Sequence, residues 1–134
     1  MAYTCEDYKR IYQEKRGSLG DCLDQIRSGD VIMCSNNYNE TAVIFSHLHE
    51  IAHRVENVRV FKSRIGEYPF ITTPGMDGHI NTVYYFCGPA YQKGYKLLNC
   101  TYMPASLPDS YDNFNYRSPC NVYLAAVTPM DEEG

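Results

Sequence analysis

The sequence has no tryptophan, no long apolar run and no excess of positive charge. Among its 134 residues, 12 Lys and Arg face 16 Asp and Glu, which gives a formal net charge of -4. This balance argues against a surface built to neutralise nucleic-acid phosphates, and against a general attraction to anionic lipid. No stretch approaches the roughly 18 apolar residues of a membrane span, and the N-terminus lacks the apolar segment of a secretory signal. We therefore expect a cytoplasmic protein that binds neither nucleic acid nor membrane.

The cysteines lack the spacing of a disulfide framework or of a zinc site. There are six of them, an even number, but they are widely and irregularly spaced and none forms a C-x-x-C pair. A chain of this length can bury enough surface to hold a core without covalent support. In a protein without a secretory signal, such cysteines are expected to remain reduced.

Helical and extended segments alternate along the chain. Polar starts and apolar residues at three- and four-residue steps predict helices from Thr4 to Gly17, from Ser18 to about residue 28 and from Glu40 to about Glu56. Short apolar runs predict strands at 31–34, 58–61, 82–87, within 97–103 and at 121–127. Prolines and glycines predict a long loop over 62–78, and further short helices are predicted after 88 and at 108. This order predicts an α/β fold, a mostly parallel sheet with flanking helices.

One short motif is typical of metal chemistry. Residues 49–53 match H-E-x-x-H, in which His49 and His53 would bind zinc from one face of a helix while Glu50 acts on the bound water. The alternative that follows is a zinc-dependent hydrolase using His49, Glu50 and His53. However, the apolar stripe of the same predicted helix turns both histidines toward solvent, and no third ligand follows at the expected spacing. We therefore favour a solvated helix face and expect no metal.

Polar residues follow the predicted strands, and in an open parallel sheet ligands bind outside the carboxyl ends of the strands. Asn36 and Asn37 can donate amide hydrogen bonds to a developing oxyanion. Glu40 can be a base, a nucleophile, or a favourable charge where the next helix begins, and we favour the last. Glu67 lies in the long loop, where a binding role and a solvated turn are equally compatible. These residues alone indicate an α/β domain with polar loops at one edge.

Several segments, taken together in order, carry a family resemblance. They are 8–16 (YKRIYQEKR), 26–33 (IRSGDVIM), Glu40, 66–68 (GEY), 78–95 (GHINTVYYFCGPAYQKGY), 100–111 (CTYMPASLPDSY) and 121–134 (NVYLAAVTPMDEEG). The chain resembles the N-terminal part of the acetyl-CoA hydrolase/transferase family, which includes the 4-hydroxybutyrate and butyryl-CoA:acetate CoA-transferases. The last segment, a strand of small apolar residues leading into T-P-M-D, is the most characteristic.

The resemblance implies a NagB/RpiA/CoA-transferase-like fold and an N-terminal domain over residues 1–134 that is cut short at its C-terminal end. The implied reaction moves CoA from an acyl-CoA, such as 4-hydroxybutyryl- or butyryl-CoA, to a carboxylic acid such as acetate. It proceeds through an acyl-glutamyl anhydride and a glutamyl-CoA thioester, without a metal or organic cofactor. The family's catalytic glutamate lies in the second half of its chains. We therefore expect no catalytic residue in this segment, which alone would be inactive.

The loops are then expected to line one wall of the acyl pocket. The candidate substrate-binding residues are Asn36, Asn37, Glu40, Gly66, Glu67, Tyr68, Met103 and Pro104. Many relatives have a small glycine-containing loop after the first strand, whereas residues 35–39 (SNNYN) would narrow or polarise the pocket. The implied partners are acyl-CoA, a small carboxylic acid, the C-terminal domain of the same chain and further copies in a homo-oligomer, in acetate or butyrate metabolism. A non-catalytic domain that keeps only the fold is the remaining alternative.

Overall fold

The computed structural model describes residues 3–34, 40–62, 66–85, 87–104 and 119–131. The helices are α1 (Cys5–Lys15), α2 (Leu19–Asp24), α3 (Ala42–His47), α4 (Pro69–Thr72) and α5 (Pro89–Lys96), with a 3-10 helix at Leu48–Arg54. The strands are β1 (Val31–Cys34), β2 (Val58–Lys62), β3 (Ile80–Tyr84), β4 (Cys100–Tyr102) and β5 (Val122–Leu124). All pairings are parallel, in the order β4-β3-β2-β1-β5. The predicted α/β fold with a parallel sheet is confirmed.

The two N-terminal helices begin at the predicted polar residues. The Thr4 hydroxyl accepts a hydrogen bond from the Asp7 amide at 3.2 Å, and the Asp7 carboxylate accepts one from the Thr4 amide at 3.0 Å. Ser18 and Asp21 repeat this arrangement at 3.2 and 2.8 Å. Such capping boxes satisfy amide donors that a helix start leaves without partners. The same bonds, first of all those from the Thr4 and Ser18 backbone amides, lower the pKa of each aspartate.

Two segments, 40–56 and 62–78, have a helical structure that differs from the prediction. The helix predicted over 40–56 is only partly α-helical, because α3 ends at His47 and the chain continues as a 3-10 helix to Arg54. The long loop predicted over 62–78 contains α4, which begins with Pro69 at its first turn. Proline is well suited to that position because its missing N–H has no role there. This helix is held by the burial of Phe70 and Ile71.

Strands β3 and β5 also begin or end at residues other than those predicted. Strand β3 begins at Ile80, two residues before the predicted start, because its pairing with β2 aligns Val58 with Ile80. It ends at Tyr84 rather than at residue 87. Strand β5 ends at Leu124, where its pairing with β1 ends opposite Cys34, so the apolar residues 125–127 extend beyond the ladder. The helix predicted at residue 108 lies outside the described residues.

The core lies between one face of the sheet and helices α2 to α5. Along β2, Val58 and Val60 are fully buried on this face, whereas Phe61 belongs to a smaller cluster on the other face. This alternation is the two-residue period of a strand. The smaller cluster consists of Val31, Phe61, Val83 and Tyr85, with Met103 packed against it. Helix α1 contributes no buried residue.

Helices α4 and α5 approach each other at Gly94, next to a buried asparagine. A Cβ atom on Gly94 would overlap the Cys100 sulfur and lie 2.9 Å from Cγ2 of Ile71. The fully buried Asn99 donates from its Nδ2 to the carbonyl oxygens of Ile71 at 2.9 Å and Thr73 at 2.7 Å. Its backbone carbonyl accepts from the Thr82 amide at 2.9 Å. Asn99 therefore joins the C-terminal end of α4 to strands β3 and β4.

All six cysteines are free thiols. In the parts of the chain that the structure describes, no helix combines the length and apolar character needed to cross a bilayer.

The contact at Gly94 generates a stability prediction. Replacing Gly94 by alanine should lower the free energy of unfolding by about 2 kcal/mol, because the added methyl group has no space between α4 and β4. Urea denaturation followed by circular dichroism measures this change. The matched control is Gly20→Ala in α2, where the nearest atom to a new Cβ is the Ser18 hydroxyl at 3.7 Å. That variant should be stabilised by about 0.5 kcal/mol, and equal effects at the two glycines would contradict the packing argument.

Candidate functional site

The strand order places a topological switch point beside β1. From β1 the chain moves outward through β2 and β3 to β4, and it then returns to the other side of β1 as β5. In open α/β sheets, ligands bind outside the carboxyl ends of the strands where the order reverses in this way. Cys34 and Leu124 pair at that end. The structure thus favours the carboxyl edge around β1, the edge that the sequence also indicated.

A carboxylate and a tyrosine from two separate segments meet at this edge. Glu40 follows β1 and Tyr68 follows β2, and the Tyr68 hydroxyl donates a hydrogen bond to Oε2 of Glu40 at 2.9 Å. Burial, then the hydrogen bond and the charge of Glu40, raise the pKa of Tyr68 above its ordinary value. The phenol therefore remains protonated at neutral pH and acts as a donor.

Sequence analysis favours a role for Glu40 as the charge that opens the next helix. Helix α3 begins at Ala42 with Thr41 as its N-cap, so Glu40 lies before the helix. Its carboxylate instead accepts the hydrogen bond from Tyr68. This contact favours a role for the Glu40 side chain at the carboxyl ends of the strands over a role only in starting α3.

Aromatic rings fix the orientation of Tyr68. Its ring stacks on Phe70 with a centroid distance of 6.0 Å and an interplanar angle of 7°, and it lies 5.5 Å from the ring of Phe45. Phe45 and Phe70 are fully buried and contact each other at 5.8 Å. A Cβ on Gly66 would lie 3.4 Å from the same tyrosine ring. Tyr68 is thus packed by core residues rather than exposed on a mobile side chain.

A second buried hydroxyl lies near this pair, at the end of β3. Tyr84 is 2% exposed, and burial, followed by the charges of Cys100 and Glu40, raises its pKa. Burial raises the pKa of Cys100 to about 12. At neutral pH Cys100 is therefore a thiol and not a thiolate, which is the nucleophilic form. The charge of Glu40 thus contributes to the raised pKa of both Tyr68 and Tyr84.

The other candidates from the long loop have different surroundings. Glu67 forms an ion pair with Lys93 of α5 at 2.6 Å, with both side chains about half exposed. Pairs of this exposure contribute little to stability, but this one connects the segment before α4 to α5. The Glu67 carboxylate is therefore bound by Lys93 and takes no part in the hydrogen bond between Tyr68 and Glu40.

The remaining predicted residues do not join this group. Met103 packs against the cluster on the opposite face of the sheet, and Pro104 after it is exposed. Asn36 and Asn37 lie outside the described residues. Of the eight predicted substrate-binding residues, the structure brings Glu40 and Tyr68 into direct contact, with Gly66 against the tyrosine ring.

The H-E-x-x-H motif lies on the 3-10 helix, and this changes its geometry. Four residues rotate about 120° past a full turn in a 3-10 helix, against about 40° in an α-helix, so His49 and His53 do not share a face. Nδ1 of His53 is 2.7 Å from the Glu50 carbonyl oxygen, and Nδ1 of His47 is 2.7 Å from the Glu50 carboxylate. Among the described residues, no three His, Cys, Asp or Glu side chains gather as a metal site would require. The described geometry therefore gives the zinc hypothesis no support.

Sequence reasoning missed Tyr84 and Lys93. Tyr84 stood inside a predicted strand, and its proximity to Glu40 depends on the pairing of β3 with β2, which the sequence did not define. Lys93 lies on the predicted short helix after residue 88. The sequence did contain a signal for the ion pair of Lys93, because a cation on a helix that follows β3 can reach a carboxylate in the loop that follows β2.

Comparison with known proteins finds similarity in structure but not in sequence. No family model matches the chain, and no curated protein matches it. RipA from Yersinia pestis superposes with a TM-score of 0.78 at 17% sequence identity, covering 96% of this chain and 32% of RipA. Two mutant forms of RipA give TM-scores of 0.81 and 0.82 at 16% identity, with the same coverage.

The chain thus spans about a third of the length of the solved structures it matches. At these identities the likeness shows the fold alone, an α/β fold with a five-stranded parallel sheet flanked by helices. The predicted fold class is confirmed.

The contact of Tyr68 with Glu40 predicts a pH dependence of stability. A raised pKa in the folded state means that Tyr68 contributes fully below the ordinary tyrosine pKa of about 10 and loses this contribution as the pH rises above it. Replacing Glu40 by glutamine removes the charge and the bond to a carboxylate, so the pKa of Tyr68 should fall toward its ordinary value, while burial, the larger cause, keeps it raised. In an NMR titration above pH 9, the Tyr68 ring signal should therefore begin to shift at a lower pH in this variant than in the unchanged protein. Glu67→Gln is the control and should leave the onset of the shift where it is. An unchanged onset in Glu40→Gln would show that the carboxylate does not act on Tyr68.

Proposed function

We propose that this chain forms one wall of the active site of a CoA-transferase. The enzyme would move CoA between an acyl-CoA, such as 4-hydroxybutyryl- or butyryl-CoA, and a small carboxylic acid such as acetate. The α/β fold with its parallel sheet, which the family resemblance implies, supports this assignment, as does the resemblance of the ordered segments to the N-terminal part of that family. The observation that carries it is the Glu40–Tyr68 pair at the carboxyl edge, next to the switch point where such sheets bind ligands.

In the proposed reaction, the nucleophile is a glutamate that lies outside residues 1–134. Its carboxylate attacks the thioester carbonyl, expels CoA as the thiolate and forms an acyl-glutamyl anhydride. The CoA thiolate then attacks the glutamyl carbonyl of the anhydride and releases the acyl group as a carboxylate, leaving glutamyl-CoA. The same two steps in reverse, with the acceptor carboxylate, regenerate the glutamate. No metal, redox partner or organic cofactor takes part in these proposed steps.

The residues of this chain would act on binding and orientation. Tyr68 is a neutral donor whose ring is fixed by Phe45 and Phe70, so its hydroxyl holds the Glu40 carboxylate in one position. A carboxylate so held is a poor candidate for the nucleophile, because the Tyr68 hydroxyl already occupies one of its oxygens. We assign Glu40 and Tyr68 to the wall of the acyl pocket. Gly66 gives the tyrosine ring its space, and Asn36 and Asn37 remain predicted members of the same wall.

The other partners of the proposed enzyme follow from the same assignment. A second α/β half would supply the catalytic glutamate and the opposite wall, and identical subunits are expected to assemble. The net charge of -4 provides no general attraction to nucleic acid or anionic lipid, which suits an enzyme that acts on small dissolved substrates, and we place this enzyme in the cytoplasm.

Covalent trapping tests the proposed function. Incubating the intact protein with butyryl-CoA, without an acceptor, should leave one CoA covalently attached to a glutamate, because the glutamyl-CoA intermediate then has no carboxylate to resolve it. Peptide mass spectrometry should place the adduct outside residues 1–134. Adding acetate should discharge it and produce acetyl-CoA.

Variants separate the wall from the nucleophile. Glu40→Gln should still form the adduct while the KM for butyryl-CoA rises, and the exposed Glu14→Gln on α1 should leave both unchanged. An adduct on Glu40, or the loss of adduct formation in Glu40→Gln with the fold intact, would show that the nucleophile lies in this segment. Absence of any CoA transfer by the intact protein would refute the proposed function.

A further inference from the structure

A cleft lies at the opposite edge of the sheet from the candidate site. It has a volume of about 430 Å³ and is lined by the turns that precede three consecutive strands. Gly29 comes before β1, Asn57 comes before β2, and Asp77 lies in the turn before β3. Pockets that bind small molecules measure roughly 300–1,000 Å³. The five residues of β2 separate this cleft from the carboxyl edge by roughly 13 Å, so a ligand here would not occupy the acyl pocket.

Backbone hydrogen bonds hold the turns around the cleft together. The Gly29 amide donates to the Glu56 carbonyl at 2.8 Å, and the Asn57 amide donates to the Gly78 carbonyl at 2.9 Å. Asn57 has a φ of 58° and Gly78 a φ of 78°. A non-glycine residue in the left-handed region costs about 1 kcal/mol and persists where its surroundings impose it. The walls of the cleft are therefore formed before any ligand binds.

The side chains in the cleft present both signs of charge beside some apolar surface. Arg59 and Asn81 are register partners on β2 and β3, and Asp77 lines the same cleft. Asn81 is occupied, since it donates to the Leu98 carbonyl and accepts from the Thr101 hydroxyl. Within the part of the chain that the structure describes, Asp77 has no ion-pair partner. Val58, the apolar residue of the lining, is itself fully buried.

We infer that this cleft binds a small zwitterion, a molecule that carries a carboxylate and an ammonium group a few bonds apart, such as an amino acid. The Arg59 guanidinium has five N–H donors in a fork that suits a carboxylate, so it can hold one beside the contacts it makes within the protein. The Asp77 carboxylate accepts from the ammonium group, and the Asn57 carboxamide can serve either end. A purely anionic or purely cationic ligand would leave one of the two charged side chains facing a like charge.

Chemical-shift mapping with ligands and their halves tests this inference. The probes are glycine, β-alanine and 4-aminobutanoate, with propionate and propylamine as the two halves of β-alanine. In the ¹⁵N spectrum of the intact protein, at least one zwitterion should shift the amides of Gly29, Asn57, Arg59 and Gly78 with a Kd of about 1 mM or below. Each half should bind at least about tenfold more weakly, because one charge contact is lost.

Two exposed substitutions complete the test. Arg59→Gln and Asp77→Asn should each weaken zwitterion binding about tenfold, whereas Arg16→Gln at the end of α1 should not change it. The inference is overturned if no zwitterion shifts these amides at about 10 mM. It is also overturned if propionate binds as well as β-alanine and Asp77→Asn has no effect, since the site would then be a simple anion site. Because none of these measurements involves CoA, their outcome is independent of the proposed transfer reaction.

Discussion

The candidate site depends on two hydrogen bonds that the buried side chain of Asn99 donates. These bonds reach the carbonyls of Ile71 and Thr73, at the C-terminal end of α4, where a four-residue helix has no internal partners for them. A helix this short has no stability of its own, so its position comes from Asn99, from the burial of Phe70 and Ile71, and from the space that Gly94 leaves. Tyr68 is the N-cap residue of this helix. The hydroxyl that reaches Glu40 is therefore placed by a carboxamide at the other end of the helix.

This arrangement explains how a parallel sheet with simple crossovers positions a polar pair at its edge. Glu40 comes from the segment after β1, Tyr68 from the segment after β2 and Tyr84 from the end of β3, so three neighbouring strands contribute one group each. The strand order adds the reversal beside β1. The fold that the chain shares with RipA sets this framework. The cleft lined by Arg59 and Asp77 lies at the amino ends of the same strands, so the two ends of the sheet present different side chains.

The sequence predicted what local chemistry determines. The caps at Thr4 and Ser18 correspond to observed boundaries because hydrogen bonds within a few residues define them. The apolar run 31–34 does so because most of its residues are buried. Helix α4 and the start of β3 were not predicted, because the burial of Phe70 and the pairing of Val58 with Ile80 depend on distant parts of the chain. The same limit applies to the site. Residue type and position after a strand pointed to Glu40, and the family resemblance pointed to Tyr68, but their contact, and the proximity of Tyr84, require the tertiary structure.

Amide hydrogen exchange in Asn99→Ala tests the central claim most directly. Two carbonyls lose their partner, a loss of about 2 kcal/mol, which a domain of ordinary stability survives folded. If Asn99 holds α4 in place, the amides of Ile71, Thr72 and Thr73 should become exchangeable through a local opening, while Val60 and Val83 in the sheet lose protection only by the global change in stability. An equal loss of protection in α4 and in the sheet would contradict the account, because Asn99 would then support the whole fold without specifically positioning the helix that carries Tyr68.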